Sequence, residues 1–171
     1  MTQFFFNSEM NVAKKQRNKT LLFYFILLGI YLFISVGLLL WFGTLPYLAD
    51  DITTIKLIHY PLTAVFVIFS FIYLGIKYKR VNRYYKLTKN LITGLKETST
   101  GSFFEYDESF RTKDGVDFKS LVFLEWNKYK KDFYERHVLV LREKPFPELQ
   151  EKQNVRYVTQ GNVLISYEIL S

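Results

Sequence analysis

Leu21–Phe42 reads LLFYFILLGIYLFISVGLLLWF, a run without one Asp, Glu, Lys or Arg. At about 1.5 Å per residue, a helix over this run is about 33 Å long, enough to cross a hydrocarbon core of about 30 Å. A second run, Leu57–Ile76, lies between Lys56 and Lys77 and is interrupted only by His59 and Pro61. Both interruptions fall near the start of that run, where a proline costs a helix least. Tyr24, Trp41, Tyr47, Tyr60, Tyr73 and Tyr78 stand towards the ends of the two runs, as aromatic residues do at a membrane interface. Burying two such helices inside a soluble core needs more polar chain than the remainder supplies. The first run is also longer than the apolar region of a signal peptide, and Tyr47-Leu48-Ala49 is a poor cleavage site, so it reads as a retained anchor.

The chain of 171 residues carries 23 Lys and Arg against 16 Asp and Glu, a net charge of +7. That excess invites a nucleic-acid reading until its position is noted. Lys14, Lys15, Arg17 and Lys19 precede the first run, and Lys77, Lys79, Arg80, Arg83, Lys86 and Lys89 follow the second. The intervening loop holds Asp50, Asp51 and Lys56. The positive-inside rule therefore puts both termini in the cytoplasm of a cell (inner or plasma) membrane and the short loop outside. From Leu91 to the C-terminus there are 12 Lys and Arg against 13 Asp and Glu, which argues against nucleic acid as the partner of that part.

The organisation expected is a cytoplasmic N-terminal segment (1–19), a transmembrane helix (20–43), an extracytoplasmic loop (44–56) and a second transmembrane helix (57–77). A basic amphipathic helix (78–96) and a cytoplasmic β domain (97–171) follow. In the amphipathic helix, Val81, Tyr84, Tyr85, Thr88, Leu91, Ile92 and Leu95 share a face opposite the basic residues. Lys77, Lys79, Arg80, Arg83, Lys86 and Lys89 are the candidate contacts to anionic lipid headgroups, while the apolar stripe suits either the headgroup region or packing on a neighbouring domain. Glu97–Gly101 reads as a linker. Neither apolar run offers a G-x-x-x-G, so the sequence gives little basis for a specific pairing of the two helices.

Beyond Gly101, β-forming runs alternate with turn signals: 103–110, 116–126, 133–143, 155–160 and 163–170, the last two joined by Gly161-Asn162. The fold class expected is thus an α+β membrane protein. Two transmembrane helices and a basic juxtamembrane helix precede a small five-stranded antiparallel barrel-like domain of the OB or SH3 kind, or a flat sheet capped by the basic helix.

Chemistry is sparse. The chain has no Cys and two His, and it lacks a phosphate loop, a zinc spacing and a nucleophile elbow, so no catalytic residue, metal site or cofactor is assigned and no enzyme is expected. Arg136, Arg142 and Arg156 are the candidate contacts should the barrel bind an anionic small molecule. The acids around the first hairpin match no calcium loop.

The tail Glu151-Lys152-Gln153-Asn154-Val155-Arg156-Tyr157-Val158, followed by Gly161-Asn162-Val163-Leu164-Ile165, resembles the closing strands of the NfeD-like family, membrane proteins with an OB barrel after their spans. The resemblance implies a barrel that contacts partner membrane proteins rather than one that catalyses. The chain departs from that family in having Gln153-Asn154 where a glycine usually begins the strand, and in having only two spans. The function expected is a membrane-anchored, non-enzymatic module that presents its β domain to a protein partner or to another copy of itself. The alternative is a ligand-gated membrane effector whose barrel senses a small molecule such as a nucleotide signal, a layout similar to that of some bacterial antiphage effectors.

Overall fold

The first apolar run is the middle of a much longer helix. The computed structural model describes residues 2–46, 51–113 and 115–170; Tyr47, Leu48, Ala49 and Asp50, and Asp114 among the acids of the first hairpin, lie outside the described residues. Helix α1 spans Asn7–Thr44 and helix α2 spans Asp51–Ile72. A π-helical segment over Tyr73–Tyr78 leads into α3, Lys79–Thr93. Both α1 and the continuous helix Asp51–Thr93 are long and apolar enough to cross a membrane. Because α2 begins at Asp51, Pro61 lies inside the helix rather than in its first turn. Its missing N–H leaves one carbonyl of the preceding turn without its usual donor.

The chain divides into two compact units, Lys14–Asn82 and Met1–Ala13 with Arg83–Ser171. In the first, the helices pair antiparallel through a ladder of polar side chains. Tyr73 Oη donates to the Thr20 carbonyl (3.0 Å), Tyr24 Oη to Ser70 Oγ (3.3 Å), Tyr31 Oη meets Thr63 Oγ1 (3.1 Å) and Ser35 Oγ meets His59 Nε2 (3.0 Å). Each step up one helix is matched by a step down the other. Ring stacking reinforces the ladder, with Tyr31 on Phe66 at 4.2 Å. In an apolar medium a hydroxyl without a partner is costly, so these rungs fix one register where dispersion alone would allow several.

In the second unit, strands β1 (Thr2–Gln3), β2 (Glu97–Lys113), β3 (Val116–Asn127), β4 (Asp132–Leu141), β5 (Asn154–Gln160) and β6 (Val163–Ile169) form one sheet in the order β1-β6-β4-β3-β2-β5. Pairing of β5 with β6 closes β2–β6 into a barrel, with β1 added outside β6. The barrel is mixed, not antiparallel as expected: β4 meets β6 in parallel at Leu139↔Val163. The reason is the excursion from Arg142 to Gln153, held down by Pro147 and Leu149. It lets the chain cross to β2, so that β5 pairs there and β6 returns alongside β4. Glu97–Gly101 is no linker but the first part of β2, paired with Thr159–Val155.

Two sets of apolar residues explain why several strands are apolar on both faces. Phe103, Leu121, Phe123, Val138, Val140, Val155, Tyr157 and Leu164 fill the barrel. Each large side chain buried there contributes about 1.5–3 kcal/mol. Phe118, Leu139, Leu141 and Val163, facing the other way, pack on Leu87 and Leu91 of α3 and on Phe5. The apolar stripe of the basic helix therefore packs on the β domain, with Leu87, Thr88 and Leu91 buried. Leu95 lies past the helix end and is 96% exposed. The N-terminus is tied to the same unit: the Phe4 N–H donates to the Ile165 carbonyl, and Lys144 bonds the Phe4 carbonyl, pairs with Glu9 at 2.7 Å and lies over the Phe5 ring.

Candidate functional site

Alternation along β3 turns Leu121, Phe123 and Glu125 towards the barrel interior, and a carboxylate there needs partners. Glu125 is buried and accepts hydrogen bonds from the hydroxyls of Tyr157 and Tyr134 and from Arg136 Nη1 (3.3 Å). Arg136 extends further, to Glu97 at 2.7 Å, Ser99 at 2.8 Å and Thr159 at 3.4 Å. Burial and then the Glu125 hydrogen bond push the Tyr157 hydroxyl far above its ordinary value; the Glu125 hydrogen bond raises that of Tyr134. Burial works to lower the Arg136 pKa, and the Glu97 hydrogen bond and the Glu125 charge outweigh it, so this guanidinium stays charged. The network joins β2, β3, β4 and β5 through one side chain.

Beside it opens a cleft of about 470 Å³ lined by Arg111, Tyr134, Glu135, Arg136, His137, Leu139 and Asn162. Its basic groups are already matched. Arg111 lies 3.3 Å from Asp107, and His137 lies 3.8 Å from the same carboxylate. Hydrogen bonds from the Ser109 hydroxyl and amide and from Ser120 hold Asp107 down at about 2, from an ordinary 3.8. A depressed carboxylate supplies stability above its ordinary pKa and loses it as pH falls through the folded value, so the Asp107 contribution disappears between pH 4 and 2.

Of the three arginines singled out in the sequence, only Arg136 lines the cleft. Arg142 is exposed, its guanidinium 4.2 Å over the Phe110 ring, and Arg156 is exposed on β5, 3.8 Å from Glu168. The structure does not bring the three together. Lys77, Lys79, Arg80, Arg83, Lys86 and Lys89 are all exposed, Lys77 lying 5.3 Å over the Tyr73 ring.

A second surface lies at the β3–β4 turn. Trp126 and Phe133 sit opposite each other with ring centroids 4.9 Å apart, 51% and 60% exposed, and Tyr129 between them is 99% exposed. Lys128, Lys130 and Lys131 are exposed in the same turn. The turn is rigid. Asn127 Oδ1 accepts from the amides of Tyr129 (2.9 Å) and Lys130 (3.1 Å), and the Asn127 carbonyl accepts from the Lys131 amide (2.9 Å). This tip is at the opposite end of β3 from the β2–β3 turn. Arg83, at the start of α3's barrel-packed stretch, lies against Gly115 in the β2–β3 turn, and Lys113 there bonds the Gly161 carbonyl of the β5–β6 turn. The β3–β4 turn is the length of β3, about 35 Å of strand, from the β2–β3 turn.

Comparison with models of protein families, with curated proteins and with solved structures found no match to this chain.

Proposed function

We propose that the chain is a membrane-anchored, non-enzymatic interaction module that presents its β barrel in the cytoplasm to a protein partner. The observation that carries this reading is the exposed, internally hydrogen-bonded tip of Trp126, Tyr129, Phe133 and three lysines at the β3–β4 turn. Exposed aromatics on a preorganised turn match the composition of interface hot spots, and ordering them on binding costs little entropy. Supporting it are two helices able to span a membrane, and an N-terminal strand that shares a unit with the barrel. The latter is what an even number of crossings requires. The six exposed basic residues from Lys77 to Lys89 contact anionic headgroups in this reading, each contributing on the order of 1 kcal/mol.

The test is photo-crosslinking in native membranes with benzoylphenylalanine at Tyr129. Discrete protein adducts are expected, and K128E/K130E/K131E is expected to remove them. No adduct from Tyr129, Trp126 or Phe133, together with a monomeric mass in detergent, would overturn the reading.

The cleft beside Arg136 favours the sensor as the second reading. An anion entering it competes with Glu97 for Arg136 and with Asp107 for Arg111. A thermal shift of the full chain on adding nucleotides, lost in R136M, supports it; no shift with any nucleotide removes it.

A further inference from the structure

The barrel is closed on one side by a single pair. Strand β4 bonds β3 along its whole length but meets β6 only at Leu139↔Val163. The direction of each main-chain group of β4 can be read from three contacts. Across the antiparallel ladder, Arg142 N–H donates to the Asp117 carbonyl, so the even-numbered residues of β4 point their amides and carbonyls at β3. The odd-numbered ones point away: Leu139 N–H donates to the Asn162 carbonyl (2.7 Å), and Phe133 N–H turns back to Asp132 Oδ1 (2.7 Å). Glu135 and His137 lie between these two and have the same orientation. Among the described residues no strand pairs with β4 on this side between Asp132 and Val138. Two amide–carbonyl pairs therefore line an open edge that runs along the cleft, with the aromatic tip at one end.

An edge of this kind is ordinarily blunted by proline, by a bulge, by charged side chains or by a covering segment, and of these only charge is present here, as Glu135 and the tip lysines. Here the register with β3 is unbroken from Phe118↔Leu141 to Asn127↔Asp132, and the edge is straight. Its charge is one-sided at the tip. Lys128, Lys130 and Lys131 have no carboxylate within ion-pair distance among the described residues, whereas Arg111 in the cleft is held by Asp107. Phe133 and Trp126 supply an apolar step on the same face as Glu135 and His137.

We propose that the β4 edge from Phe133 to His137 accepts an added strand from a partner protein, an extended acidic segment whose carboxylates meet the tip lysines and whose apolar residues cover Phe133 and Trp126. Main-chain bonding to Glu135 and His137 gives affinity, and the lysines set direction and partner charge. The inference rests on the interaction-module reading and names the partner's chemistry.

The test uses the full chain in nanodiscs with an octapeptide of alternating Glu and Val as the probe, and one of alternating Lys and Val as its control. The acidic peptide is expected to slow hydrogen exchange at the Glu135 and His137 amides by about tenfold or more. With Trp41→Phe leaving Trp126 as the only tryptophan, it is also expected to shift Trp126 emission to the blue. Glu135→Pro removes an edge donor without touching the β3 ladder and is expected to abolish both effects. K128E/K130E/K131E, which alters no backbone group, is expected to transfer the preference to the basic peptide. Exchange unchanged by either peptide, or slowed equally by both, overturns the proposal. So does protection of the same amides without peptide, whether by anionic lipid in the nanodisc or by a second copy in a dimer. Tyr129 adducts that persist in Glu135→Pro leave the module standing and remove strand addition. Loss of all adducts from the wild-type chain removes the module, whatever the peptides do.

Discussion

Glu125 links three strands directly, yet its position in the sequence, between Leu124 and Trp126, looks like any charged residue in a strand. The signal lay in parity: it follows Leu121 and Phe123 at spacing two, and those are core residues. Only the assembled barrel supplies Tyr157, which is 32 residues away, and Arg136. Removing Glu125 takes the interior carboxylate from the half-buried Arg136, which keeps Glu97, and leaves the buried Tyr157 hydroxyl without its acceptor. Glu125→Ala is expected to cost about 3–5 kcal/mol in denaturant unfolding of the detergent-solubilised chain. Glu97 bonds the same arginine but is 66% exposed, and Glu97→Ala is expected to cost at most about 1 kcal/mol. Equal effects of the two substitutions would mean that the interior network does not hold the barrel together. The same contrast explains why reading arginines by composition found one cleft residue of three. Arg136 is drawn inwards by a buried acid, whereas Arg142 and Arg156 have only surface partners.

Among the elements, the legible ones have strong local patterns. Val116–Asn127 and the β5–β6 hairpin lie within a residue or two of where alternation and Gly161-Asn162 put them. Three elements were hidden, each for a physical reason. Strand β1 is two residues long and exists only because β6 presents an edge to it. Glu97–Gly101 is polar and small because it is a barrel strand with little to bury, so it looks like a linker. The pairing of the helices was hidden because the search was for small residues, whereas the contact uses hydroxyls. Tyr24, Tyr31 and Ser35 recur at spacings of seven and four on α1, and His59, Thr63 and Ser70 at four and seven on α2. The chain has no cysteine, so the register can be tested cleanly. S35C/H59C is expected to form a disulfide under mild oxidation within the intact chain, and S35C/T63C, one turn out of step, is not. Equal yields from both pairs would show that the rungs do not fix the register.

At the scale of the whole molecule, the +7 charge is unevenly placed along the chain. The basic residues flank the two apolar runs, while the barrel sequence is close to neutral. The structure adds an independent constraint: Thr2–Phe5 belongs to the barrel unit through β1, the Phe4 amide and Lys144, so the start of the chain and its C-terminal domain must lie on one side of anything the helices cross. In the proposed topology the charge pattern and this packing make the same demand. Single cysteines at Val12, Thr53 and Glu108, all exposed, test the arrangement. In sealed, right-side-out cells a membrane-impermeant maleimide is expected to label Thr53→Cys at once. Val12→Cys and Glu108→Cys are expected to react only after permeabilisation, and at similar rates. Labelling of Thr53→Cys that also waits for permeabilisation would mean that the helical hairpin does not cross. Labelling of Val12→Cys and Glu108→Cys from opposite sides would mean that the N-terminal strand is not held on the barrel in the membrane.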